Sequence, residues 1–339
     1  MTAATDLLYD ETDEELRSTV RGMLAGRSPW SKVLARIESP ETTDSKLWEV
    51  LAGAMGLAGL AVPEELGGAG ATWRQVAVVL EELGRAVAPV PYLGSAVIAT
   101  RALLHCGDRD LLAALAAGTQ CAALAVPFST APGADPSATV SADGGALTGT
   151  VTSVADALVA DVLLVPSGDA LYAVAGGDVT RTPVVSLDMT RQLCDIRLDG
   201  VAGRPVATGP DAAAAVTAAL TTGAALLASE QLGLAQWCLD STVDYLKNRY
   251  QFGRKVGSFQ ALKHRLADLW TRVAQARAVA RHAAASIGTA DAEIAAALAQ
   301  SYCSETAVLA AEECVQLHGG IGFTWEHPAH LYLKRAKST

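Results

Sequence analysis

Arg249-Tyr-Gln-Phe-Gly-Arg-Lys-Val-Gly-Ser-Phe-Gln260 and, further along, Gln316-Leu-His-Gly-Gly-Ile-Gly-Phe323 are the two stretches on which the identification of this chain turns. Each joins a helical segment to a glycine-containing turn. The first offers a guanidinium and amides, the second an amide and bare backbone. Arginine supplies a planar fork suited to bidentate binding of phosphate oxygens. Gly319 and Gly320 lack a Cβ, so a ligand can approach the backbone and take hydrogen bonds from its N–H groups. Arg249, Gln251, Phe252, Gln260, Gln316, Gly319 and Gly320 are therefore the candidate binding residues, for an anionic dinucleotide. Gly320-Ile-Gly322 is not a Rossmann fingerprint, because no strand precedes it and the spacing is wrong.

Around these motifs the apolar period changes along the chain. From Glu11 to about Gly118 it is helical, as in Asp13 to Leu24, Lys46 to Met55 and Thr72 to Leu83, with Pro63 to Gly70 as a loop. From Cys121 to about Pro205 it is β-rich: two strands around the Asp143-Gly-Gly145 turn, then Ala160–Pro166, Ala170–Ala175, Thr182–Ser186 and Cys194–Leu198. Helical segments at 211–249, 259–287 and 291–317 follow, separated by a Gly253–Gly257 loop and a Gly288–Asp291 turn. The expectation is an α+β protein of three parts: an N-terminal helical domain (1–120), a small middle β-barrel or sheet domain (121–207) and a C-terminal four-helix bundle (208–339).

The composition of the 339 residues, 50% hydrophobic but only 18% charged and 5% aromatic, predicts an interior of Ala, Val and Leu. A net charge of −10 argues against nucleic acid as a partner. Arg249, Arg254, Lys255, Lys263, His264 and Arg265 nevertheless concentrate positive charge, consistent with one anionic ligand or with solvated helix faces. The six cysteines show no metal spacing and read as reduced, mostly buried thiols of a cytoplasmic protein. No apolar run looks long enough for a membrane span, since Ala212–Leu227 is threaded with Thr and Gly.

Taken as a pair, the two motifs resemble the flavin-binding signatures of the acyl-CoA dehydrogenases. The similarity extends over Gly56-Leu-Ala-Gly-Leu-Ala-Val-Pro-Glu-Glu-Leu-Gly-Gly-Ala-Gly70, Leu80-Glu-Glu-Leu-Gly-Arg85 and Gly233-Leu-Ala-Gln236, and so over nearly the whole chain. The resemblance implies the fold just outlined, FAD as cofactor and an acyl-CoA thioester as substrate. It also implies that the seven candidate residues hold the ADP part of an FAD bound mainly to the neighbouring subunit. An electron-transfer flavoprotein is the implied acceptor.

Two departures from the family pattern shape the expected function. The middle-domain stretches that cradle the flavin ring in the family read here Leu124-Ala-Val-Pro-Phe-Ser-Thr-Ala-Pro-Gly-Ala-Asp135 and Gly149-Thr-Val-Thr-Ser-Val154, and neither keeps the usual residues. The usual catalytic glutamate follows a segment like Leu333-Lys-Arg-Ala-Lys337, close to which the given sequence stops, and the alternative position matches Gly223. The expectation is a subunit without a catalytic residue of its own, completing the FAD site of a second, catalytic chain in an α2β2 heterotetramer, with a steroid side-chain CoA as substrate by analogy. A self-sufficient homotetramer with its base outside these residues, and a flavin-free acyl-CoA-binding or scaffolding protein, are the rival expectations. Glu230, seven residues beyond Gly223 on the same helix face, reads as an ion-paired or surface carboxylate, with a relocated base as its rival reading; Glu312 and Glu313 read as ion-paired or surface carboxylates, His327 and His330 as capping or surface residues rather than metal ligands, and His318 equally as a cofactor contact or a turn filler.

Overall fold

The computed structural model describes residues 7–339. The N-terminal third forms α1 (Glu11–Arg27), α2 (Trp30–Ile37), α3 (Ser45–Glu49), α4 (Trp73–Arg85), α5 (Thr100–Cys106) and α6 (Arg109–Ala116). Asp10 starts α1 with a reciprocal capping box to Asp13. The helical reading of the adjoining segments holds with a change of winding: Val50–Ala54 and Tyr92–Ala99 are π-helical.

Eight strands then build two sheets. One runs β1 (Ala122–Leu124), β4 (Val162–Ser167), β5 (Ala170–Ala175), β8 (Arg204–Thr208); the other β2 (Val140–Asp143), β3 (Ala146–Ala155), β7 (Leu193–Ala202), β6 (Thr180–Val184). Among the described residues only the β1–β4 pairing of these sheets is parallel. Alternate residues of β4 explain its unbroken apolar run, because the strand is covered on both faces. Leu163 and Val165 enter a core shared with Leu147, Val151, Ile196 and Leu198 of the second sheet. Val162 and Leu164 enter a core with Leu103, Leu112, Leu115 and Ala215 from helices.

The C-terminal part comprises α7 (Pro210–Asn248), α8 (Gln260–Ser286), α9 (Ala292–His318) and α10 (Ala329–Ser338). By length and a mean hydropathy of 1.6 over its most apolar window, α7 passes for a membrane-spanning helix, contrary to the expectation from the threaded Thr and Gly. That window is 72% buried inside the protein, as befits a core helix.

The chain divides into two compact units that cut across the three sequence blocks. One takes the chain up to Ala35, Ala77–Ala88 and Ala225–Thr339; the other takes Arg36–Val76 and Pro89–Ala224. The bundle of the first unit thus holds α1 and α4 beside the four C-terminal helices. Glycine makes this possible where α4 meets α7: a Cβ on Gly84 would lie 2.0 Å from the Glu230 carbonyl oxygen, and one on Gly233 1.8 Å from that of Glu81. Ion pairs flank the crossing, with Arg17 Nη2 2.8 Å from Glu81 and Arg21 Nη2 2.7 Å from Glu82.

Candidate cofactor-binding site

The Arg249 motif begins where α7 ends. Where the sequence suggests a plain loop, the chain forms a two-stranded hairpin, β9 (Tyr250–Gln251) against β10 (Arg254–Lys255), with Gln251 opposite Arg254. Its two turn residues, Phe252 and Gly253, have φ of 53° and 73°. Two consecutive positive φ values are the mark of a type I′ turn, whose twist matches that of the strands it joins. Glycine adopts this freely, but phenylalanine pays of order 1–2 kcal/mol for it. Phe252 is 88% exposed at the tip. Behind it Phe259 packs edge-on at 6.2 Å, and the Arg254 guanidinium lies 3.8 Å from the centre of the Phe259 ring.

Arg249, Gln251, Gln260, Gln316, Gly319 and Gly320 are all exposed. Among the described residues no carboxylate pairs with Arg249. Gln260 Nε2 lies 3.2 Å from His264 Nε2 one turn along α8. At the end of α9, Gly319 has φ 62° and ψ −139°, a conformation open to glycine alone, and begins a tight turn through Phe323. No atom lies within 4 Å of where a Cβ on Gly319 or Gly320 would be, so the backbone there is open to a ligand.

The two motifs meet through their helix ends. His318, immediately before Gly319, stacks at 4.5 Å on Tyr245, one turn before Arg249. His318 is 3% exposed, and its Nδ1 lies 2.7 Å from the Cys314 carbonyl oxygen. It fills the turn from below and presents no ring to solvent. Tyr245, which the sequence motif does not include, is the residue that ties hairpin and turn together; its place one turn before Arg249 on α7 is the only signal that marks it.

His327 packs on His318 at 4.1 Å, and its Nδ1 accepts from the Ala329 N–H, a capping role. Burial and the neighbouring His318 and His330 push His327 down to about 4. His330 meets Trp325 edge-on at 4.4 Å. All six cysteines are unpaired, and five are buried.

Three carboxylates near these helices, Glu230, Glu312 and Glu313, are committed to cations. Glu230 is 4% exposed and its Oε1 lies 2.6 Å from Arg335 Nη1. Glu313 takes both a 2.6 Å and a 2.9 Å bond from Arg265, and Glu312 a 2.7 Å bond from Lys337. At Gly223 a Cβ would come within 2.9 Å of Ile98 Cγ1, so a longer side chain needs Ile98 to move.

The altered middle-domain stretches lie side by side. Phe128 N donates to the Ser153 carbonyl at 3.0 Å, Pro127 bridges Val154, and Arg191 lies 5.3 Å above the Phe128 ring. Gln192 is held by Thr42 at 2.6 Å and Thr43 at 3.1 Å, and Asp156 accepts from Gly94 N at 3.0 Å. This chain's own polar side chains thus occupy one another here.

The donor set at the hairpin and turn, a free guanidinium, three amides, an aromatic ring and open glycine backbone, fits the phosphates and ribose of a dinucleotide. Residues 10–118 match the model of the acyl-CoA dehydrogenase N-terminal domain, and residues 213–339 that of the C-terminal domain. The chain is 39% identical to acyl-CoA dehydrogenase IpdE2 of Mycolicibacterium smegmatis, over 96% of this chain and 92% of that protein. It is 40% identical to IpdE2 of Mycobacterium tuberculosis, over 96% and 91%. Among solved structures, a variant of the Tcur3481-Tcur3483 steroid ACAD superposes with TM-score 0.85 at 32% identity, over 97% of this chain and 92% of that one. The ChsE4-ChsE5 complex of Mycobacterium tuberculosis gives 0.85 at 30%, over 98% and 93%. Butyryl-CoA dehydrogenase of Megasphaera elsdenii, at 20% identity and TM-score 0.87, shares the fold over 98% of this chain and 94% of that one. The chain belongs to the acyl-CoA dehydrogenase family of FAD-dependent oxidoreductases.

Proposed function

We propose that this chain is the non-catalytic subunit of a heteromeric acyl-CoA dehydrogenase, and that its hairpin and glycine turn close over the ADP half of an FAD held mainly by a catalytic partner. The observation that carries this is outward presentation. Arg249, Gln251, Phe252, Gln260, Gln316, Gly319 and Gly320 are exposed on one unit, and Phe252 adopts a positive φ at the hairpin tip. Donors aimed at solvent, with no carboxylate on Arg249, suit a ligand that arrives on another chain.

FAD, when bound, accepts the hydride as the acyl-CoA is desaturated. This chain's part is positioning: Arg249 binds pyrophosphate oxygens, Gln251, Gln260 and Gln316 donate to phosphate or sugar, and the Gly319-Gly320 backbone supplies N–H groups. Phe252 shields the cofactor from water, and Tyr245 with His318 fixes the turn. The base comes from the partner. The ion pairing of Glu230, Glu312 and Glu313 and the bare Gly223 support that division, because an α-proton acceptor must be free to take the proton. Self-association of the polar groups around Phe128, Ser153 and Gln192 supports a middle domain that leaves the flavin ring to the partner.

The steroid ACAD and the ChsE4-ChsE5 complex among the similar structures favour an α2β2 assembly and a steroid side-chain CoA thioester as substrate. An electron-transfer flavoprotein is the proposed acceptor, and the cytoplasm the proposed location. Arg249→Ala tests the site. With a contribution of about 1.5–3 kcal/mol for a hydrogen bond to a charged group, FAD should bind the complex roughly tenfold to a hundredfold more weakly while each subunit stays folded. Unchanged flavin occupancy would remove Arg249 from the site.

A further inference from the structure

Beneath the glycine turn lies a cluster of side chains that the flavin chemistry does not use. Cys238 and Tyr245 stand seven residues apart on α7, and so on one face of it, while Cys314 and His318 stand four apart on one face of α9. The two faces meet in successive rungs. Tyr245 stacks on His318 at 4.5 Å, and about two turns back along α7 the Cys238 thiol donates a hydrogen bond to the Cys314 sulfur. Both cysteines are fully buried.

The donors around Cys314 favour its thiolate. His318 Nδ1 lies 2.7 Å from the Cys314 carbonyl oxygen, which can only accept, so Nδ1 carries a proton. The same nitrogen is 3.6 Å from Cys314 Sγ. One sulfur therefore faces two donors, the Cys238 S–H and the His318 N–H, and they hold the Cys314 thiol below its ordinary range against the opposing effect of burial. Cys238, desolvated and acting as donor, is raised. Cys303 shows what burial does alone: its thiol meets the Ala276 carbonyl at 3.6 Å and is pushed up to about 12. Packing needs no donors aimed at a sulfur, whereas an activated thiol touching a second thiol is the arrangement of a nucleophile and its resolving partner.

We propose that Cys314 and Cys238 form a peroxide-responsive pair whose disulfide ties α7 to α9 directly under the glycine turn. Hydrogen peroxide, hardly larger than water, reaches the sulfurs when the end of α9 opens locally. The Cys314 thiolate attacks one peroxide oxygen; the S–O bond forms as the O–O bond breaks, and the departing hydroxide takes a proton from solvent. Cys238 then attacks the Cys314 sulfenic acid; the S–S bond forms, the S–O bond breaks, and the hydroxyl leaves with the Cys238 proton as water. The two thiols give up two electrons and peroxide is reduced to water. The effect on flavin rests on the binding role proposed above for Gly319 and Gly320, since the disulfide withdraws Cys314 from the histidine that supports their turn.

The test is peroxide treatment of the folded full chain, blocking of the remaining thiols after denaturation, and peptide mass mapping. Two of the six thiols should disappear first, as one Cys238–Cys314 linked peptide that dithiothreitol reverses. Cys238→Ser should stop the reaction at a Cys314 sulfenic acid trapped by dimedone, Cys314→Ser should leave Cys238 reduced, and Cys303→Ser should change nothing. Reaction of all six thiols at similar rates, of Cys106 alone, or of none before the wild-type chain unfolds overturns the pair. In the assembled enzyme the same treatment should speed flavin loss severalfold. Disulfide formation with flavin retention unchanged overturns the coupling to the turn. Failure of the pair leaves the Arg249→Ala result untouched, so the two readings fall separately.

Discussion

Replacing Arg335 with methionine would separate a structural from a catalytic role for Glu230. The two side chains are 4% and 5% exposed and meet at 2.6 Å, so the substitution leaves a buried carboxylate without its cation. Removing one partner of such a pair costs about 3–5 kcal/mol, far more than an exposed pair contributes. For a unit of roughly 150–250 residues each kcal/mol moves the midpoint by about 2–4 °C, so a fall of roughly 6–20 °C is expected. Urea unfolding of Arg335→Met against wild type measures the loss. The double variant Glu230→Leu/Arg335→Met should recover most of it, because an apolar pair of similar volume replaces a buried ion pair at little cost. In the assembled enzyme, Glu230→Gln should leave turnover nearly intact. A loss of less than about 1 kcal/mol in Arg335→Met, the cost of a surface pair, would refute the assignment. So would a large fall in turnover in Glu230→Gln, which would make Glu230 the base.

Gly233→Ala puts a methyl 1.8 Å from the Glu81 carbonyl oxygen, a backbone atom that cannot swing away, so a stability loss at the upper end of the ~1–3 kcal/mol overpacking range should appear in urea titrations. Gly319→Ala forces a side chain into a backbone region closed to it, at about 1–3 kcal/mol, and should lower FAD retention of the complex with little change in substrate KM. His327 is held near 4 when folded against an ordinary value near 6.5, so it stays neutral in the fold. The unfolded chain therefore binds the proton first. Its stabilising contribution is full above about pH 6.5 and is lost as pH falls toward 4. His327→Phe should flatten the thermal-midpoint profile over that window.

Much of this structure was legible because its signals are local. The helices at 211–249, 259–287 and 291–317 appear within a residue or two as α7, α8 and α9, since glycine and helix-breaking turns bound each one. The Asp143-Gly-Gly145 turn joins β2 to β3 as expected, and β5 has the expected bounds. What escaped depends on distant partners. The short β1 and β8 exist because β4 and β5 offer them edges, and their own periodicity is too brief to announce them. The entry of α4 into the bundle unit rests on Gly84 and Gly233, whose use as contact points shows only once the helices cross, and α1 follows through the Arg17 and Arg21 ion pairs. The Phe252-Gly253 hairpin reads as a loop in sequence because phenylalanine is a poor turn residue at positive φ. The candidate site divides in the same way. Arg249, Gln316 and the glycines are visible as a motif, whereas Tyr245 and the buried side of His318 emerge from packing alone.

That this chain completes a flavin site on a different subunit can be checked by the visible spectrum and native mass of the protein purified alone and with a candidate catalytic acyl-CoA dehydrogenase subunit. A colourless chain alone and a yellow heterotetramer on co-expression are the expected result. A yellow, active protein from this chain alone would contradict it.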